Sequence, residues 1–292
     1  MKKYITLAAL ALLCVSCDKN SEVEQPNPDH IRVEACLPTR ANLTAFEAGD
    51  TIALYAVEYN GENPAQLQPV ANYLNYEAVT FDGAKWNTAR PLYWSSVACD
   101  FYGIYPYQQL SAVKEVLFDI ATDQNTPRTE SELGGYEASD IMWAKASGVT
   151  AANGSVNLNF HHMMSRLVVK VERGATFEGE LPEDIVAHIY NTATTAKVDW
   201  TIGSLEKYMY SENKTIKMRQ VDGSTFDAIV VPQFIERSTP MIEITMEGVA
   251  YLLDYSISFR PGIQHTITVT LNTSPDQEKI EISIDGSVDE WN

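Results

Sequence analysis

From Ile31 onward, apolar and polar residues alternate in short runs broken by Gly, Pro, Asn and Asp. Ile31, Val33, Ala35 and Leu37 alternate with Arg32, Glu34 and Cys36. That period of two is the mark of a half-buried strand. Successive strand side chains point to opposite faces, so these four form one inward row. Similar runs predict strands at Thr51–Tyr59, Cys99–Tyr107, Val116–Ile120, Asp140–Ser147 and Ser155–Phe160. Further along they predict Arg166–Glu172, Asp184–Tyr190, Ala196–Ile202, Phe226–Pro232, Met241–Gly248, Val249–Ser258, His265–Asn272 and Lys279–Asp285. Val79–Trp86 reads as a hairpin turning at Asp82-Gly83. Ser111–Ile120 has room for one helical turn, and no stretch carries a sustained 3.6-residue stripe.

About fifteen short strands are too many for one ordinary sandwich. The expectation is an all-β chain of two β-sandwich domains, residues 31–164 and 165–292. The seam falls at His161–Ser165, where "HHMMS" interrupts two alternating runs. It holds no Pro or Gly linker, which predicts domains packed closely together.

The N-terminus follows a different pattern. Lys2 and Lys3 precede Ile5–Ser16, twelve nearly all apolar residues. A bilayer-spanning helix needs about 20, so residues 1–16 read as an export signal. Val15 and Ser16 ahead of Cys17 resemble a bacterial lipobox, which makes Cys17 the expected lipidated first residue of the mature chain. Ordinary secretion with cleavage elsewhere is the competing reading. Residues 17–30 include Pro26 and Pro28 and lack periodicity, as a flexible tether does.

The formal charge is −18. Residues 1–16 contain two lysines and no acid, so their removal takes it to −20. Such a surface repels phosphate backbones and argues against nucleic acid as a partner. The remaining thiols, Cys36 and Cys99, are a candidate disulfide in an exported protein, but two cysteines make no framework. No HExxH, CxxC or Gly-x-Ser-x-Gly pattern occurs. His161 and His162, adjacent on a strand, face opposite ways and cannot share a metal. With 39 acidic residues, no carboxylate pair stands out as catalytic. The sequence therefore predicts no enzyme, no cofactor and no metal. Arg90–Ser96 and Tyr102–Tyr107 cluster Tyr and Trp near turns. They fit core packing or an aromatic platform for glycans. Arg40 stands in the loop after the first strand, either as a solvated residue or as a protease site.

Taken in order, "TRANLTAFEAGDTIALYAV", "RPLYWSSVACDFYGIYPY", "DIMWAKAS", "VNLNFHHMMSRLVVKV", "FRPGIQHTITVTLN" and the terminal "SVDEWN" resemble the fimbrillin family of Bacteroidota, the Mfa-like or type V pilin subunits. The resemblance implies two tandem transthyretin-like β-sandwich domains and an outer-membrane lipoprotein at the cell surface. It implies cleavage at Arg40–Ala41 by an Arg-specific protease, with release of the strand carrying Ile31, Val33, Ala35 and Leu37. It implies partners in other fimbrial subunits, joined by strand exchange, and a role in adhesion to host or bacterial surface ligands. Ile280, Ile282 and Ile284 then belong to a donor strand or to the last strand of the home domain. An uncut, lipid-bearing anchor and a non-polymerising glycan-binding lipoprotein are the alternatives.

Overall fold

The computed structural model describes residues 29–37, 46–236, 240–272 and 282–291. The architecture is all-β, as the alternating pattern requires. Its first half contains β1 (Val33–Cys36), β2 (Thr51–Asn60), β3 (Asn63–Pro64), β4 (Leu74–Phe81), β5 (Trp86–Thr88), β6 (Cys99–Tyr105) and β7 (Val116–Asp119). A short helix, α1 (Gly135–Ser139), precedes β8 (Met142–Val149), β9 (Val156–Asn159) and β10 (His161–His162). The second half contains β11 (Ser165–Arg173), β12 (Val186–Ala193), β13 (Thr195–Asp199), β14 (Ser204–Lys207), β15 (Asn213–Lys217) and β16 (Arg219–Gln220). It continues through β17 (Thr225–Val230), β18 (Phe234–Ile235), β19 (Pro240–Met246), β20 (Val249–Asp254), β21 (Ile257–Ser258), β22 (Ile263–Leu271) and β23 (Ile282–Glu290).

The first half is built on a seven-stranded sheet in the order β10-β8-β6-β2-β4-β5, with β3 added to β2. Its central strands are buried on both faces. Ile52, Leu54 and Ala56 of β2 join Phe101, Tyr105, Met142 and Ala144 in one core. Ala53, Tyr55 and Val57 join Tyr102 and Ile104 in a second core, which runs on into the other half of the molecule. Two burying faces explain why Thr51–Val57 reads as a nearly continuous apolar run. Gly103 lets the sheet come close to its cover, because a Cβ there would lie 2.5 Å from Phe160 and 2.9 Å from Leu158.

In the second half a five-stranded sheet, β16-β17-β11-β22-β23, packs on a four-stranded one, β15-β12-β19-β20. Leu167, Val169, Phe226, Ile267 and Val269 face Ala187, Ile189, Ile242 and Ile244 across the core. A three-stranded sheet, β14-β13-β7, links the halves. The Trp143 indole donates to the Trp200 carbonyl at 2.8 Å across this junction. α1 is held by charge: Arg219 lies 3.5 Å over the Tyr136 ring and bonds both Glu137 and the buried Asp227, which also takes Arg166 at 2.6 Å.

Three details bear on the sequence reading. Val116–Asp119 is strand β7, as the run Val116–Ile120 predicts, and the helical turn that Ser111–Ile120 had room for does not form. Its backbone pairs with β13, and Val, Leu and Phe suit a pleated surface better than a helix. The hairpin after β4 turns over four residues, not two. The Asp82 carboxylate accepts the N–H groups of Ala84 and Lys85 at 2.9 Å, and Gly83 supplies a φ of +95°. The short strands β14, β15 and β16 were not predicted; their residues carry little apolar alternation and are strands through tertiary pairing.

Asp100 pins the register shift between β6 and β8. Its buried carboxylate takes Lys145 at 2.8 Å, the Gly148 N–H at 2.9 Å and the Tyr59 hydroxyl at 2.9 Å. Burial opposes its charge, but these three donors prevail and hold the acid below the ordinary carboxylate range. A depressed folded pKa contributes stability above the unfolded value, about 3.9, that is lost as pH falls through the folded value. Asp100→Asn should cost about 1–3 kcal/mol at neutral pH, and its deficit against wild type should shrink below about pH 4; urea unfolding across pH measures both. Gly103→Ala should lower stability by about 1–3 kcal/mol through overpacking against Phe160, read as a fall in the urea midpoint.

Candidate functional site

The seat of β1 stands apart from the rest of the first half. Among the described residues β1 has one ladder partner, β9, and the two run parallel from Val33↔Val156 to Cys36↔Asn159. The Val156 N–H donates to the Arg32 carbonyl at 2.8 Å, and the Phe160 N–H to the Cys36 carbonyl at 2.8 Å. The Trp86 indole reaches from β5 to the Ala35 carbonyl at 2.9 Å. Ile31, Val33 and Leu37 are buried, Ala35 partly so, and Arg32, Glu34 and Cys36 face out. The buried three pack into the first-half core with Leu54, Phe101, Leu158 and Phe160. At about 1.5–3 kcal/mol per fully buried apolar side chain, they hold roughly 5–9 kcal/mol as an upper bound.

Leu37 and Phe46 are the described residues on either side of positions 38–45. Both line a cavity of about 370 Å³ between the two halves. Phe46 meets Trp86, Phe160 and Tyr105 edge to face, at 4.9, 5.4 and 5.9 Å. Deeper in the same cavity, Asp50 takes Arg128 at 2.7 Å, and Asp140 meets His162 Nδ1 at 2.9 Å. Burial, and then the charge of Asp50, push the Tyr105 phenol far above its usual range, so it stays neutral.

The C-terminal strand meets one of the cavity's lining residues, His162. β23 lies at the edge of the five-stranded sheet and pairs with β22 over nine residues, from Leu271↔Ile282 to Ile263↔Glu290. Residues 285–290 are exposed and Ile284 is partly buried, so few of the described side chains hold the strand. Its anchor is Trp291, 2 % exposed, whose ring stacks on His162 at 3.6 Å and 12°. The Trp291 N–H donates to the Gly262 carbonyl at 2.8 Å.

Cys17, Arg40, Ala41 and Ile280 lie outside the described residues, and only the backbone of Ile282 is described. Ile284 sits in the last strand of the home sheet. Cys36 and Cys99 are both free. Cys36 is exposed and donates to Asn159 at 3.0 Å. Burial, and then Glu58, push the Cys99 thiol up to about 11, which keeps it unreactive. Of the aromatic clusters, Tyr102 and Tyr105 are core residues, Tyr107 stacks on Tyr76 at 4.2 Å, and Tyr93 is exposed. His162 is buried and His161 points outward, the opposed pair that a strand requires. Asp50, Arg128 and Phe46 carry no sequence signal because their partners are remote in the chain. A lone tryptophan behind a mostly polar run is the one clue to Trp291.

No curated protein matches the sequence significantly. Among solved structures, the fold is similar to that of a proposed cell adhesion protein from Bacteroides uniformis, with a TM-score of 0.67 and 21% identity over 92% of this chain and 100% of that one. A proposed cell adhesion protein from Bacteroides ovatus is similar at a TM-score of 0.66 and 16% identity, over 91% of this chain and 98% of that one. A fimbrial protein from Bacteroides ovatus is similar at a TM-score of 0.50 and 18% identity, over 85% of this chain and 51% of that longer one. At such identities the likeness is one of fold. The sequence itself matches the fimbrillin-like family from residue 39 to residue 291, nearly its whole length, and the chain belongs to that family.

Proposed function

We propose that the chain is a structural, non-catalytic subunit of a surface fimbria, assembled by strand exchange. In this reading residues 1–16 direct export, Cys17 carries the lipid that holds the subunit at the outer membrane, and residues 17–30 are the tether. Two β-sandwich domains follow, residues 31–164 and 165–292. An Arg-specific protease cuts Arg40–Ala41 and frees the strand bearing Ile31, Val33, Ala35 and Leu37. The partners are other fimbrial subunits, and the fibre adheres to host or bacterial surfaces.

One observation carries the reading: the segment Ile31–Leu37 buries three large apolar side chains in a core that β1, among the described residues, borders through one parallel ladder. Loss of such a strand opens an apolar groove beside the unpaired backbone edge of β9. A strand from a neighbouring subunit refills that edge, with main-chain bonds giving affinity and alternate side chains giving selectivity. Because the groove and the donor lie on different parts of the subunit, the contact propagates head to tail. β23, with its exposed side chains and single tryptophan anchor, is the strand of this chain best suited to leave its own sheet.

Digestion of the full chain with an Arg-specific protease tests this. The expected product begins at Ala41 and converts from monomer to a concentration-dependent ladder of oligomers on native gels. Arg40→Ala should stay uncut there and remain monomeric. A cut chain that stays monomeric and keeps its thermal stability would overturn strand exchange. A product beginning elsewhere would overturn the assigned bond.

A further inference from the structure

A second cavity, of about 390 Å³, lies in the other half, between β22, β23 and the segment Tyr255–Arg260. No carboxylate is among its lining residues, in a chain with 39 acidic side chains. Its charged group is Arg260, which is exposed and has no ion-pair partner among the described residues. Around it stand the hydroxyls of Ser256, Ser258 and Tyr255, none engaged with another side chain among the described residues. His265 forms part of the wall. It is 5 % exposed, and its Nε2 is buried without a hydrogen-bond partner. Burial, and then the charge of Arg260, hold its imidazole below the usual range, so the ring is neutral. A buried polar atom without a partner costs stability unless something fills its place.

A free guanidinium, several hydroxyl donors and a buried imidazole nitrogen, with no competing acid, form a binding set for a carboxylate. Half-exposed Val288 and the Tyr255 ring give the cavity an apolar side, where the face of a pyranose ring fits. The geometry points to a binding site for an acidic monosaccharide unit, its carboxylate on Arg260 and its hydroxyls on the serines. The site is separate from the β1 seat and goes beyond the assembly role. It does depend on the C-terminal strand, since Ser287 and Val288 belong to β23. Gly286, on the same strand, admits the Tyr255 hydroxyl to a position that any Cβ would occupy. The site is therefore complete only while β23 is seated.

Calorimetric titration of the uncut full chain with glucuronate, and with glucose as the neutral counterpart, tests the proposal. Glucuronate should bind saturably in the millimolar range or tighter, and glucose should not. Arg260→Gln should weaken glucuronate at least tenfold while leaving the melting temperature unchanged, because Arg260 is exposed and unpaired. Ser258→Ala should weaken it less. Absence of glucuronate binding, equal binding of glucose, or unchanged binding by the Arg260→Gln variant would each overturn the site. Displacement of glucuronate by an equal concentration of sulfate would overturn the sugar assignment. None of these readouts involves cleavage or oligomers, so the site and the assembly mechanism stand or fall separately.

Discussion

The molecule depends on one sheet being buried on both sides. β2, β6 and β8 send alternate side chains into two cores, one shared with β1 and β9 and the other with the second half. This sheet fixes the position of everything else. On one face, Gly103 admits Phe160 at close range and so sets the depth of the β9 layer. On the other, Trp143 reaches Trp200, and β7 leaves the first half to pair with β13. Among the described residues the buried side chains fall into two separate clusters with this sheet between them.

That separation suits β1, in energetic terms, to the exchange proposed above. Its three buried side chains belong wholly to the smaller core. Their upper-bound contribution of roughly 5–9 kcal/mol is comparable to the whole stability of an ordinary domain. A strand worth that much does not leave by thermal fluctuation, so the assembly proposed above needs an irreversible event to release it. Cutting a peptide bond is such an event. In that proposal it turns burial that stabilised one chain into a driving force for joining two.

Much of this was legible in the sequence. The strand with strict alternation, Ile31–Leu37, declares both its type and its inward row, because burial on one face imposes a period of two. The central strands are legible as continuous apolar runs, although the run does not say that its two faces serve different cores. The pairing of Val116–Asp119 with β13 was not legible. It rests on residues nearly 80 positions apart, and local propensity carries no record of that. The polar lining of the junction cavity was equally hidden. Asp50 with Arg128, and Asp140 with His162, are pairings of distant residues that look like ordinary surface charges in a chain with so many acids. Free Cys36 and Cys99 make the same point: composition raised a bridge that the three-dimensional arrangement does not form.

The stack of Trp291 on His162 joins the middle of the chain to its last-but-one residue. The chain is made in order, so His162 exists long before its partner does. The strands of the first-half sheet are complete by residue 162 and need nothing from residue 291. The His162 ring and the edge of β22 must wait for it. Closing this contact is therefore a late step of folding, set by the order of the chain and not by the strength of the stack.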